Sequence, residues 1–318
     1  MAIGGVRRAA RGMMDFYPAK NNDRLNRRPF APESVAGRVM VNPRYPVREL
    51  ARVAPWWCRR CAVLHTFPRV RCDSGAFQDV GRQRLFPWQA LAAQLRYEEQ
   101  LRWWLDDPTF HFETIFIYDD PAGVDEAVVN GKKIKVRGTD QSAAVAVQNT
   151  LDAARYYATQ RKHIRGRVGW VGQGIDADQY MACVWAMRRY FRRGDVIAFG
   201  GFCIWGRMPA RMTKTAHETI ARVATLGKRR GITDYHMLGV MYAPAVRWAA
   251  QLARTRRIRI ATDGSGPEQA ACISGAVYRA DGTQDHGVYT KDQKYKEYHP
   301  CDLALSNIST YSTWAAGL

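Results

Sequence analysis

Apolar positions along this chain follow two alternating patterns. Short apolar runs end abruptly at glycine, proline or an acid, as buried strands do. They predict strands over 69–72, 114–118, 167–171, 196–199, 235–238 and 258–262, with a last strand placed within 270–279. Longer stretches between them carry apolar residues three or four apart; Leu91, Leu95, Leu101 and Leu105 mark one such stretch. These predict helices over 88–105, 142–160, 178–191, 215–230 and 244–255, with a short one near 47–57.

Strand-then-helix alternation from about residue 69 onward implies a parallel sheet. With seven or eight repeats, the pattern favours a closed (β/α)8 TIM-like barrel over an open doubly wound sheet. No dinucleotide fingerprint and no P-loop occurs. Residues 1–60, rich in Arg, Asn and Pro, are expected to form an irregular basic N-terminal arm packed on the barrel. Residues 61–318 are assigned to the barrel, and the tail after Tyr289 is expected to be polar and irregular. Asn130-Gly131 between β-prone arms predicts a hairpin over 127–136, an insertion above a strand end.

Charge changes the picture more than composition does. The 318 residues carry a formal net charge of +19, which points to a polyanionic partner, nucleic acid above all. The lysines of the hairpin, Lys132, Lys133 and Lys135, and Arg207 and Arg211 are candidate contacts to its phosphates. Clusters at Arg188-Arg189, Arg192-Arg193 and Lys228 to Arg230 fall at predicted helix C-termini, where cations also favour the helix dipole. No apolar run is long enough to span a membrane, and the basic start lacks the apolar core of a secretion signal, so a cytoplasmic location is expected. Seven scattered cysteines make no disulfide framework. Cys58, Cys61 and His65 offer three zinc ligands where a closed site takes four, so no metal cofactor is expected.

The ends of the predicted strands carry the candidate chemistry. They read Asp73-Ser74-Gly75, Asp119-Asp120-Pro121, Gly172-Gln173-Gly174, Gly200-Gly201, Leu238-Gly239 and Asp263-Gly264. Taken singly, Asp73 is a helix cap and Asp263 a turn residue. Together, two carboxylates at one barrel mouth suit cleavage of a glycosidic bond, one attacking C1′ and the other moving protons. Asp119 and Gln173 offer an acceptor and an amide to the edge of a polar heterocycle. The Gly200-Gly201 backbone allows close approach of a planar ligand, and Tyr118 and Phe202 offer stacking faces.

On these motifs the sequence resembles the tRNA-guanine transglycosylase superfamily over roughly residues 69–280. Asp73 to Gln78 is similar to its Asp-Ser-Gly-Gly-Phe-Gln stretch, Gln173-Gly174 to its Gln-Gly motif, Gly200 to Phe202 to its Gly-Gly-Leu, and Leu238 to Val240 to its Met-Gly-Val. The resemblance implies that Asp263 is a covalent nucleophile and Asp73 the acid/base. It implies that Asp119, Gln173, Gly200, Gly201, Phe202, Leu238 and Gly239 bind the exchanged base. Two departures matter. Only Cys272 and Cys301 follow Asp263, so the family's zinc site is missing. The residues after the nucleophile are Gly264-Ser265-Gly266 rather than a run ending in Arg. Both look more like the phage and bacterial branch that installs 7-deazaguanine bases in DNA. The implied activity is replacement of guanine in DNA by a free 7-deazaguanine of the preQ0 type, in a host-cell cytoplasm if the chain is phage-encoded. The alternatives are a zinc-free tRNA-guanine transglycosylase and a non-catalytic nucleic-acid-binding barrel subunit.

Overall fold

Short strands of β-branched and aromatic residues supply the frame. The computed structural model describes residues 14–18, 38–43, 69–79, 83–105, 107–122, 125–129, 132–136, 140–202, 210–264, 276–285 and 300–318. Its strands are β1 (Met14–Pro18), β2 (Arg38–Val41), β3 (Arg69–Cys72), β4 (Thr114–Phe116), β5 (Asp125–Val129), β6 (Lys132–Val136), β7 (Arg167–Gly172), β8 (Val196–Phe199), β9 (Asp234–Met237) and β10 (Arg259–Gly264). Two-residue strands β11 (Val277–Tyr278) and β12 (Gln284–Asp285) follow. Eight strands form one sheet in the order β1-β10-β9-β8-β7-β4-β3-β2. Every neighbouring pair in it is parallel. The two end strands, β1 and β2, lie against each other, so the sheet is nearly closed and barrel-like.

The helices are α1 (Ala76–Asp79), α2 (Pro87–Leu105), α3 (Asp140–Thr159), α4 (Ala177–Met187), α5 (Ala210–Arg229), α6 (Ala243–Arg256) and α7 (Pro300–Gly317). Their apolar stripes cover the outside of the sheet. On α6, for example, Val246, Ala249, Ala250 and Ala253 recur at helical spacing and are all buried. Pro244 sets the first turn of α6, and Arg257 ends it in a left-handed conformation at φ 52°. Alternate strand residues face opposite ways. Val70, Ile115, Val168, Ile197, Tyr235 and Ile260 belong to the apolar core cluster and are fully buried.

Three features differ from the sequence reading. The N-terminal segment is not wholly irregular: β1 pairs with β10 and β2 with β3 inside the barrel sheet. Each is flanked by Arg, Asn and Pro, with no regular apolar period around it, so neither announces itself in the sequence. Within 270–279 the described residues form no barrel strand; Val277 and Tyr278 pair antiparallel with Gln284 and Asp285 in a separate ribbon. The tail contains α7, which packs on β1, β11 and α6. The hairpin is present, with Val129 opposite Lys132. Among the described residues no helix is long and apolar enough to cross a membrane.

Candidate active site

Parallel strands put all their C-terminal ends on one face of a barrel. Asp73, Asp119, Gln173, Gly200 and Gly239 each lie within three residues after β3, β4, β7, β8 and β9 respectively, and Asp263 is the penultimate residue of β10. One mouth therefore collects six of the predicted site residues from six neighbouring strands.

Below this mouth the barrel interior is ionic. Arg71 is fully buried. Its Nε donates to Glu113 at 3.1 Å and its Nη2 to Asp234 at 3.3 Å. Arg167 pairs with the same two acids, at 2.8 Å to Glu113 and 2.5 Å to Asp234. Burial alone would raise both carboxyls. The surrounding guanidiniums override it, holding Glu113 down to about 2 and Asp234 well below the usual carboxylate range.

The next layer up is His236, fully buried, with its ring edge against Phe116 at 5.0 Å between centroids. Its Nδ1 meets Arg71 Nη1 at 2.8 Å and its Nε2 meets Asp263 Oδ1 at 2.8 Å. Burial lowers the affinity of the ring for a second proton, Asp263 opposes that, and the Arg71 charge adds to it. The Gly239 N–H also donates to Asp263 Oδ1, at 3.0 Å. Gly239 takes φ 68°, a left-handed conformation that glycine adopts without strain and that the turn after β9 requires.

Asp73 sits across the mouth. Its Oδ1 accepts from the Ser74 N–H at 2.8 Å and its Oδ2 from Asn42 Nδ2 at 3.0 Å. Burial is the largest influence on its carboxyl, followed by the charges of Asp263 and Asp119, and the outcome is a pKa raised to about 7. The Ser74 and Gly75 N–H groups pull the other way without prevailing. The two candidate catalytic carboxyls are thus near enough for one charge to bear on the other.

Asp119 is buried, and burial raises its pKa. Its Oδ1 accepts from Ser74 Oγ at 2.9 Å and its Oδ2 from Gln173 Nε2 at 2.5 Å. Gln173 Oε1 accepts from the Ala122 N–H at 3.1 Å. The Gln173 amide lies directly over Gly200, so that a side chain at 200 would overlap it. Gly200 therefore makes room for Gln173, where the sequence reading gave that room to a ligand. Tyr180 donates its hydroxyl to the Gly200 carbonyl, and Gly201 takes φ 75°.

The predicted stacking faces are inside the protein. Phe202 is buried against Phe199, at 5.4 Å between centroids, and against Tyr180 at 5.0 Å. Tyr118 is buried too, donating to Asp79 at 2.6 Å and lying under the Arg84 guanidinium. Exposed aromatics stand elsewhere on the rim: Phe86 is 64% and Trp88 55% exposed. Phe86 ends a loop and Trp88 lies in the first turn of α2, and that loop is pinned beside the site, since Arg84 donates to the Asp119 carbonyl at 2.9 Å and the Leu85 N–H to the Tyr118 hydroxyl at 3.1 Å. Leu238 is half-buried in the turn before Gly239.

Arg71, His236, Asn42 and Ser74 escaped the sequence reading as site residues. A signal for two of them existed. Arg71 precedes Asp73 by two, and Asp234 precedes His236 by two, the period that sends polar side chains to one face of a strand. Lys132, Lys133 and Lys135 lie on β6 and Arg211 on α5, but their side chains, like all of Arg207, are outside the described residues. Cys58, Cys61, His65, Ser265, Gly266 and Cys272 are also outside them. Among the described residues no group of three His, Cys, Asp or Glu side chains has the arrangement to hold a metal ion.

No family model matches the chain, and no curated protein matches it.

Proposed function

We propose that the chain is a (β/α)8-barrel base-exchange transglycosylase that replaces guanine in DNA with a free 7-deazaguanine. The observation that carries this reading is the pair of opposed carboxyls. Asp263 is gripped by two donors at Oδ1, while Asp73 is tuned to about 7. That is the division of labour a displacement at C1′ needs: an oriented carboxylate as nucleophile and a partner able to give and regain a proton near neutrality.

In the first half-reaction an Asp263 oxygen bonds to C1′ as the C1′–N9 bond breaks. Asp73 gives its proton to the departing guanine. In the second, Asp73 removes the N9 proton of the incoming base, N9 bonds to C1′, and the Asp263–C1′ ester bond breaks. Both acids return to their starting states, so no energy source is consumed. Asp119 and Gln173 supply the acceptor and amide that meet the N–H edge of guanine or its 7-deaza analogue. The target nucleotide must leave the base stack to reach them, at a cost of a few kcal/mol in a duplex. The preference for DNA over tRNA rests on the missing zinc ligands after Asp263 and on Gly264-Ser265-Gly266 in place of a run ending in Arg; the net charge of +19 suits the phosphates of either nucleic acid.

The test is incubation with labelled guanine and, separately, single-stranded DNA, duplex DNA and tRNA. Label should enter DNA, and denaturation should leave a covalent protein–DNA adduct. Asp263→Asn should abolish both. An active Asp263→Asn protein would overturn the nucleophile assignment, and label in tRNA alone would overturn the choice of DNA.

A further inference from the structure

We propose that Arg71 and His236 are positioning residues, forming a hydrogen-bonded column from the ionic floor of the barrel that fixes the orientation of Asp263. This rests on the reading of Asp263 as nucleophile. The column itself is read from atoms. Arg71 has only N–H groups to offer. Nδ1 of His236, 2.8 Å from Arg71 Nη1, must therefore accept. The ring proton then resides on Nε2, where it is donated to Asp263 Oδ1 at 2.8 Å. A second ring proton would have to sit on Nδ1, pointing at a cation.

Arg71 is itself held. Glu113 takes its Nε and Asp234 its Nη2, so its fork has a fixed azimuth. Among the described residues, the charged groups facing His236 are Asp263 on β10, Arg71 on β3 and Asp234 on its own strand β9, with Glu113 behind Arg71. Phe116 on β4 closes one side of the ring. At the top, the Gly239 N–H joins Nε2 on the same oxygen, Oδ1. Among the described residues no hydrogen bond is made to Asp263 Oδ2. Two donors anchored on different groups thus freeze the carboxylate and leave one oxygen to attack.

The first measurement needs no reaction. Nitrogen-15 NMR of the native protein should show His236 neutral and protonated on Nε2 from about pH 5 to 8. An Nδ1–H tautomer, or a ring charged in that range, would overturn the column. The second compares two substitutions, since removing Arg71 would strip partners from Glu113 and Asp234 and endanger folding. His236→Gln retains an acceptor for Arg71 and a donor for Asp263. His236→Phe retains the ring and its packing against Phe116 but donates nothing. One hydrogen bond to a charged group corresponds to about 10- to 100-fold in rate. Adduct formation should therefore slow by about that factor in His236→Phe and stay within about threefold of native in His236→Gln. The Kd for oligonucleotide should be unchanged in both. Equal rates in the two variants would overturn the positioning role. A native protein that forms no adduct with any nucleic acid would instead overturn the function reading, leaving the spectrum alone to decide the tautomer.

Discussion

Replacing Asp73 with asparagine should stabilise this protein above neutral pH while slowing the proposed base exchange. The folded state raises the Asp73 pKa from 3.8 to about 7, through burial first and then the charges of Asp263 and Asp119. A carboxyl with a raised folded pKa binds its proton more tightly in the native state than in the unfolded one. Its favourable contribution is complete below about pH 4, is lost as pH rises through about 7, and stays lost above that. A rise from 3.8 to about 7 corresponds to about 4 kcal/mol, reduced to on the order of 2–4 kcal/mol by the side chain's remaining contact with water. Asparagine carries no charge at any of these pH values. It keeps an oxygen for the Ser74 N–H, and the Asn42 amide can rotate to accept from it. Urea unfolding of both proteins at about pH 5 and pH 8 measures the effect. Asp73→Asn should gain stability over native at pH 8 and lose most of that gain at pH 5, with exchange lowered by about 10²- to 10⁴-fold at both. A variant destabilised equally at the two pH values would refute the reasoning, because it would mean that Asp73 is ionised and well paired throughout.

Acid should act on the floor of the barrel with the opposite sign. Glu113 is depressed to about 2, so its contribution is present above about pH 4.5 and lost as pH falls toward 2; Glu113→Gln should cost on the order of 3 kcal/mol at pH 7 in urea unfolding and almost nothing near pH 2. Gly200→Ala should push the Gln173 amide off Asp119 and weaken binding of free guanine by about tenfold or more in calorimetry, with the circular dichroism unchanged. Trp88→Ala and Phe86→Ala should each raise the Kd for single-stranded DNA by roughly 5- to 100-fold if a base stacks on them, a loss that added salt does not erase.

The sequence disclosed the repeated α/β frame because parallel strands buried on both faces read as near-continuous apolar runs. It disclosed the mouth because turns at strand ends need glycine and the chemistry needs acids, and both are visible as letters. It hid β1 and β2 because both stand in Arg-, Asn- and Pro-rich sequence with no regular apolar period around them, and it hid α7 because its polar residues, such as Asn307, serve buried bonds; Asn307 accepts from the Tyr278 N–H at 2.9 Å. Phe202 misled because an aromatic beside a Gly-Gly turn fits a stacking platform and a core plug equally well. Arg71 drew no role from the sequence, since nothing within β3 reveals that Glu113 and Asp234 stand ready to neutralise it. The role of Gly200 depended on Gln173, a residue from a neighbouring strand, and such partnerships appear only in three dimensions.

The pairing of β1 with β10 also has a consequence in time. Met14 aligns with Ile260 across the sheet, so β1, the earliest of the described strands, waits on the ribosome for a partner that begins only at Arg259. At about 5–20 residues per second, that wait is roughly 10–50 s. The half of the ring running from β2 through β7 is complete by residue 172 and is free to assemble meanwhile, with Asp73 already in place. Asp263 arrives on the same strand that lets β1 into the sheet. Completing the nearly closed ring and completing the pair of carboxyls are therefore one event, and a nascent chain that stops short of β10 carries Asp73 without Asp263.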